Sequence, residues 1–325
     1  MNYDILIKKA KENSLEGKLL DRETLIALLE IDPDSKAVEK LGESAREVAS
    51  KFANNKGSVW ASIGIDYQPC KMNCSFCSFG VKWGAITNRY QWGVDDIIQY
   101  TGKFVSEGAK WVTLRTTECF RTDNLCSLAK KVRSNVLGNY ELVANTGELN
   151  DEKAKLLYES GFKVVYHSIR LREGIDTPFN VNERCKTLEA VRSSNLTLAY
   201  LVEPIGVEHS NEEIADVFLT AMRYGAKLTG AMARVPVSGT PLFKYGALPE
   251  RRLAQITAVT RLGAGKYAPD ICVHPPSKLA MEWGANVVVI ETGAIPRDIK
   301  NIKNEWGGFD MSTAKKWYEE TGYEA

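Results

Sequence analysis

Three observations in the sequence predict a (β/α)8 barrel. From Val59 onward, short β-branched or apolar runs alternate with longer amphipathic ones, the pattern of parallel strands joined by crossover helices. The step from helix end into strand recurs, as Gly108-Ala109-Lys110-Trp111-Val112, Gly225-Ala226-Lys227-Leu228 and Gly284-Ala285-Asn286-Val287. The strand-like runs number eight, which closes a barrel of the TIM type, complete or nearly so.

The first segment, residues 1–56, reads as a helical extension or lid. Asp21 can cap a helix through Leu29, with Asp32-Pro33 ending it, and Ser35 to Asn54 reads as a second amphipathic helix. The barrel is expected over 57–295, and 296–325 as a tail packing on it. Its strands are predicted at Val59–Asp66, Trp111–Thr116, Glu141–Asn145, Lys163–Ser168, Leu196–Val202, Lys227–Ala233, Asp270–Val273 and Asn286–Ile290. Helices are predicted between them near 93–107, 122–134, 150–160, 181–193, 211–224, 249–262 and 276–283.

Composition bounds the function. With 325 residues and 44% hydrophobic content, one large domain with a full core is expected. A net charge of +1 gives no strong field for nucleic acid or a membrane surface. There is no run of 18 apolar residues, and Met1-Asn2-Tyr3-Asp4 lacks a basic-then-apolar leader, so a cytoplasmic protein is expected. Seven cysteines, an odd number, fit reduced thiols and a cofactor better than a disulfide framework.

A barrel places its active site at the C-terminal ends of the strands. Those ends bring Tyr67, Arg115 to Glu118, Asn145, Ser168 to Glu173, Glu203, Arg234, His274 and Glu291 to one mouth. Each alone is explained as a capped or solvated loop residue; together they suggest a polar ligand site.

The loop after the first strand carries the sharpest signal. Tyr67-Gln68-Pro69-Cys70-Lys71-Met72-Asn73-Cys74-Ser75-Phe76-Cys77 sets Cys70, Cys74 and Cys77 at C-x3-C-x2-C. Soft thiolates select iron–sulfur clusters, zinc or copper(I). A closed zinc site or an ordinary four-iron cluster takes four protein ligands, and no fourth cysteine or histidine sits nearby in sequence. Three ligands leave one metal corner open; a zinc-binding structural module is the non-enzymatic alternative.

This motif, with the aromatic Phe76 before the third cysteine, resembles the signature of radical S-adenosylmethionine (SAM) enzymes. The resemblance implies that Cys70, Cys74 and Cys77 hold a [4Fe-4S] cluster whose fourth iron takes SAM. Electron transfer from the cluster then yields a 5′-deoxyadenosyl radical that abstracts hydrogen from a substrate. From about residue 60 to 290 the chain is similar to the biotin-synthase-like branch, which includes the iron-only hydrogenase maturase and methylornithine synthase. The branch implies that Glu118 accepts the SAM amino group, with Thr116 and Thr117 in place of the glycines usual before it. Glu173 meets the ribose, Arg170 and Arg172 are rivals for the carboxylate, Arg184 approaches SAM, and Glu203 with the following backbone passes the adenine. Tyr67, Arg115, Asn145, Arg234, His274 and Glu291 remain for the substrate, with Trp83 and Trp92 read as core or lid packing.

Laid against a sulfur-inserting enzyme, the chain has Leu114, Val143 and Ala199 where a second cluster would need cysteines. A single cluster is therefore expected, with hydrogen abstraction leading to bond cleavage or rearrangement of a small polar metabolite. A lyase of the queuine/queuosine kind is the first expectation. An amino-acid mutase, a maturase-type enzyme and a sulfur-inserting enzyme similar to biotin or lipoyl synthase are the alternatives. The expected partners are a small-molecule substrate and a low-potential electron donor, flavodoxin or ferredoxin, with no membrane and no direct nucleic-acid binding.

Overall fold

The computed structural model describes residues 2–300 and 302–324. Eight parallel strands close on themselves: β1 (Ser58–Gly64), β2 (Trp111–Arg115), β3 (Glu141–Asn145), β4 (Phe162–Tyr166), β5 (Thr197–Ala199 continued by Val202–Ile205), β6 (Leu228–Ala233), β7 (Asp270–His274) and β8 (Val287–Gly293). β1 pairs with both β2 and β8, so Gly64 stands opposite Arg115 on one side and Gly293 on the other. The remaining ladders run in chain order, with both pieces of β5 on β6. Every predicted strand is present; strand five breaks into two segments and strand four ends at Tyr166, two residues earlier than expected.

The helices start where the sequence supplies caps. Asp21 accepts from Thr24 N at 2.7 Å to open α2 (Arg22–Leu29), and Ser35 accepts from Val38 N to open α3 (Lys36–Phe52). α1 (Tyr3–Leu15) precedes them. Around the barrel run α4 (Val94–Ser106), α5 (Thr122–Asn135), α6 (Asp151–Glu159), α7 (Val181–Arg192), α8 (Asn211–Arg223), α9 (Glu250–Ala264) and the short α10 (Lys278–Glu282). Ser210 and Glu213 form a reciprocal capping box at α8.

α9 is buried from Leu253 to Ala264 because α1, α2 and α3 cover the side turned away from the barrel. Its buried polar groups are paired to both sides: Gln255 Nε2 donates to Ile31 O at 2.7 Å in the helical layer, and Arg261 donates to Gly284 O, Pro269 O and Asn286 Oδ1 beside the last two strands. The last helix, α11 (Met311–Glu320), lies at the closed end of the barrel, where Tyr318 Oη donates to Ser58 O at 2.6 Å and accepts from Val288 N.

Strand alternation divides the core in two. Trp60, Trp111, Val143, Val164, Ala199, Leu201, Leu228, Cys272 and Val287 fill the lumen, and the larger cluster packs between strands and helices. Trp60 and Trp111 meet edge to face at 6.5 Å, and Trp60 Nε1 donates to Thr113 Oγ1. Gly230 in β6 allows this packing: its φ is +149°, and a Cβ there would stand 1.9 Å from Cys272 O. The lumen floor is thus closed and the mouth open. Among the described residues no helix is long and apolar enough to cross a membrane.

Candidate active site at the mouth of the barrel

One cavity occupies the mouth, and its wall has two sides. The first is the loop after β1. Cys70 is held by a short ladder, its N–H donating to Phe79 O and its carbonyl accepting from Val81 N. Asn73 turns the chain at φ +49°, and Cys77 N closes a turn onto Cys74 O. Three segments distant in sequence latch the loop across the mouth: Ser75 N donates to Asp176 O, Leu242 N donates to Ser75 O, and the Ser78 hydroxyl donates to Pro296 O.

Cys70, Cys74 and Cys77 line the cavity with Phe76, and all are free of disulfides. Burial raises each thiol above its ordinary value, Cys74 to about 12 with Arg170 opposing the shift. Without a metal these thiols stay protonated at neutral pH. Among the described residues no three His, Cys, Asp or Glu converge as a set for a metal ion. A cubane differs from an ion in this respect, since each thiolate binds its own iron and the sulfurs need not meet at one point.

Beside the thiols lies a buried network of charges. Arg184 donates to Glu148 Oε1 at 2.8 Å and to Ser168 O at 2.9 Å, and stands 3.0 Å from Glu173. Arg170 lies 3.6 Å from Glu203 and 3.7 Å from Glu173, and one of its terminal nitrogens is buried with no partner. Burial opposes the charge on Arg170, but Glu173 and Glu203 together hold it above the ordinary arginine range. Burial raises Glu203, whose Oε2 accepts the phenol of Tyr166. Glu118 stands at the rim of the cavity, where desolvation and then repulsion from Glu148 raise its carboxyl. It packs over Gly147, where a Cβ would come within 2.9 Å of Glu118 Oε1.

The second side is built from strand ends. Arg115, Asn145, Arg234, His274 and Glu291 line it as expected, together with Arg297 from the segment after β8. Arg234 forks onto Glu208, with 2.9 Å from Nη2 to Oε2. Arg297 pairs with Glu291 and donates to His274 Nε2 at 2.7 Å. Burial, then the Arg297 charge, holds His274 well below its ordinary value, so it is neutral.

Three expected residues stand outside the cavity wall. Tyr67 stacks on Tyr90 at 5.6 Å and braces the small hairpin of Asp66–Tyr67 with Tyr90–Gln91. Arg172 sits at φ +52° and points to Glu213 at 2.8 Å and Glu208 O. Glu173 is buried behind the wall, accepting from Thr177 Oγ1 and Arg170 N. Trp92 is core, and Trp83 donates to Cys74 O at 3.2 Å, a prop for the loop. The sequence reading missed Tyr166, Glu148 and Arg297; the first was hidden because strand four was drawn two residues too long.

No family model matches the chain. Biotin synthase of Nitrosopumilus maritimus is 24% identical over 264 residues, covering 78% of this chain and 79% of that protein. Biotin synthase of Nautilia profundicola is 29% identical over 266 residues, covering 75% and 93%. Over about three quarters of its length the chain is thus similar to the biotin-synthase-like branch of the radical SAM superfamily. Among solved structures, methylornithine synthase superposes with a TM-score of 0.80 at 17% identity, over 97% of each chain. The maturase of the [FeFe]-hydrogenase gives 0.75 at 14%, over 93% of this chain and 72% of that one. These likenesses show the same barrel.

The cofactors that the cysteine motif's resemblance implies are a [4Fe-4S] cluster and SAM. The residues present fit them. Three unpaired thiols share a wall with Arg170, whose buried Nη1 makes no hydrogen bond within the protein, and with the carboxylates Glu118 and Glu203. One detail of the second-cluster reading is corrected. Leu114 faces the helices, packed in the outer core, and its lumen neighbours are Thr113 and Arg115. Val143 and Ala199 do face the lumen. At these positions Thr113, Val143 and Ala199 offer no sulfur; Cys272 lies buried in the lumen, and burial pushes its thiol up.

Proposed function

We propose that this chain is a single-cluster radical SAM enzyme that takes a hydrogen atom from a small polar metabolite, leading to bond cleavage or rearrangement. One observation carries the reading: the three cysteines, Glu118, Arg170, Arg184 and Glu203 share a cavity with Arg115, Asn145, Arg234, His274 and Glu291. When bound, the cluster and SAM supply the electron and the 5′-deoxyadenosyl radical.

The chain's own groups bind and orient. Cys70, Cys74 and Cys77 hold the cluster. Glu118 accepts charge-assisted hydrogen bonds from the SAM amino group. Arg170 is the arginine for the SAM carboxylate, because Arg172 is engaged with Glu213 outside the cavity. Glu203 is the carboxylate on that wall for the nucleoside, while Glu173 positions Arg170 and Arg184 from behind. Phe76, Phe179 and Met232 exclude water between the two sides. A low-potential donor, flavodoxin or ferredoxin, supplies the electron from outside.

For the substrate, a lyase reaction on a modified nucleobase or nucleoside, of the queuine/queuosine kind, is the reading carried over from the sequence. An amino-acid mutase reaction is the second, and the observation that favours it is the unpaired guanidinium of Arg115. The test is anaerobic turnover with dithionite and SAM in the presence of each candidate. The true substrate raises 5′-deoxyadenosine output and, when deuterated at the reacting carbon, transfers deuterium to it. Absence of 5′-deoxyadenosine under all conditions overturns the reading.

A further inference from the structure

We propose that the substrate carries a single carboxylate, and that Arg115 binds it, with Arg297 and His274 completing the socket. The inference favours the amino-acid reading over the nucleobase one, which offers no carboxylate, and rests on the proposed function only in taking this cavity as the substrate chamber.

The arginines around the cavity are paired with carboxylates, with one exception. Arg170 stands against Glu203 and Glu173, Arg184 against Glu148 and Glu173, Arg234 against Glu208, and Arg297 against Glu291. Arg115 differs from all of them. Among the described residues no carboxylate lies within ion-pair distance of it, and its Nε and one terminal nitrogen are buried without a partner. The nearest acid acting on it, Asp66, is taken up by Thr117 N and Thr117 Oγ1. Burial lowers Arg115 to about 10, so it remains charged at neutral pH. Gly64 leaves it room, since a Cβ there would stand 2.4 Å from Arg115 Nη2.

An unpaired buried cation is costly to a fold and is retained where a ligand completes it. The neighbours name the ligand's charge. Arg297 is already balanced by Glu291, so the local surplus is one positive charge, which suits a monoanion and not a phosphate dianion. A guanidinium forks onto a carboxylate in one plane. His274 Nε2 stands 2.7 Å from Arg297 and 3.2 Å from Glu291, and the ring's other nitrogen, Nδ1, is buried without a protein partner. Arg297 Nε is likewise buried without a partner. Arg115, Arg297 and His274 therefore each bring a buried, unpartnered nitrogen to the wall of the chamber.

The rival occupant is the cluster itself, because Arg115 also interacts with Cys77. The experiment separates the two. Anaerobically reconstituted protein with SAM is melted in the presence of L-α-amino acids and aliphatic monocarboxylates, each beside its primary amide, and of inorganic phosphate. The expected result is that at least one acid raises Tm while its amide and phosphate do not. Arg115→Gln then weakens that acid by about 10- to 100-fold, with iron content and SAM affinity unchanged, and Arg115→Lys retains part of the response. Without ligand, Arg115→Gln melts higher than the parent by roughly 2–4 °C. The inference is overturned if acids and amides act alike, if phosphate is preferred, if no acid shifts Tm, or if Arg115→Gln strips iron while acid binding survives. Should Arg115→Gln not fold, the acid–amide comparison and Arg115→Lys still decide. Release of 5′-deoxyadenosine by these proteins reports separately on the radical SAM reading.

Discussion

Asp66 holds Thr117 twice, accepting from its backbone N–H at 2.8 Å and from its hydroxyl at 2.5 Å. This pair ties the end of β1 to the turn after β2 and fixes the residue before Glu118. It also accounts for threonine at a position where glycine is usual in the superfamily: the hydroxyl is part of the clamp, and Gln68 Nε2 donates to it at 3.1 Å. Asp66→Ala leaves a buried N–H and hydroxyl unsatisfied. The expected loss is about 1–3 kcal/mol in urea unfolding, with a weaker SAM complex because Glu118 is no longer held. Unchanged SAM affinity would limit Asp66 to a structural part.

Glu118→Ala should weaken SAM binding by about 10- to 100-fold, the range of a lost charge-assisted hydrogen bond, while iron per chain stays at the parent value. Equilibrium binding of SAM to the reconstituted protein checks this. Parent-like affinity would remove Glu118 from the SAM site.

Arg184 and Arg172 differ in burial, and they predict different outcomes for stability. Arg184→Leu leaves the carboxylate of Glu173, which is 1% exposed, short of its nearest cation, for an expected cost of about 3–5 kcal/mol. Arg172→Ala breaks a half-exposed pair with Glu213 and should cost about 1 kcal/mol or less, with SAM affinity intact. Denaturant unfolding of the two variants, alongside SAM binding for Arg172→Ala, tests both statements.

Acid should destabilise the fold through its buried histidines. His167 and His274 are held well below their ordinary value, by burial first and by neighbouring arginines second. For a base whose folded value is depressed, the unfolded chain takes up the proton first, so stability is full above about pH 6.5 and falls below it. Each histidine contributes a slope of up to about 1.4 kcal/mol per pH unit. Urea unfolding between pH 5 and 7 should show the fall, and His167→Gln should make it shallower. A flat profile would mean that these rings are protonated in the folded state.

Much of this was legible in the sequence because barrel strands and crossover helices have local signals. The β-branched runs, the caps at Asp21 and Ser35 and the Gly-Ala steps placed the elements to within a few residues. The cysteine loop was legible because its ligands are adjacent in sequence. What was not legible depends on parity and on distant contacts. Leu114 and Thr113 differ by one position, and only the pleat decides which faces the lumen. Arg172 was set beside Arg170 as an equal, and its left-handed backbone turns it out to Glu213. Arg297 enters the cavity from beyond the last strand, through a segment with no periodicity, and is placed there by Glu291 and by Ser78 on Pro296. The pairing that leaves Arg115 alone among the cavity arginines could not be read from composition, since net charge sums over partners that only folding brings together.

The most direct measurement is iron and sulfide analysis of protein reconstituted without oxygen, with electron paramagnetic resonance of the reduced state before and after SAM. The account predicts about four irons per chain, a reduced-cluster signal that changes shape on SAM addition, and loss of both in Cys70→Ala, Cys74→Ala and Cys77→Ala. A colourless protein with about one zinc per chain, or a cluster signal indifferent to SAM, would contradict it.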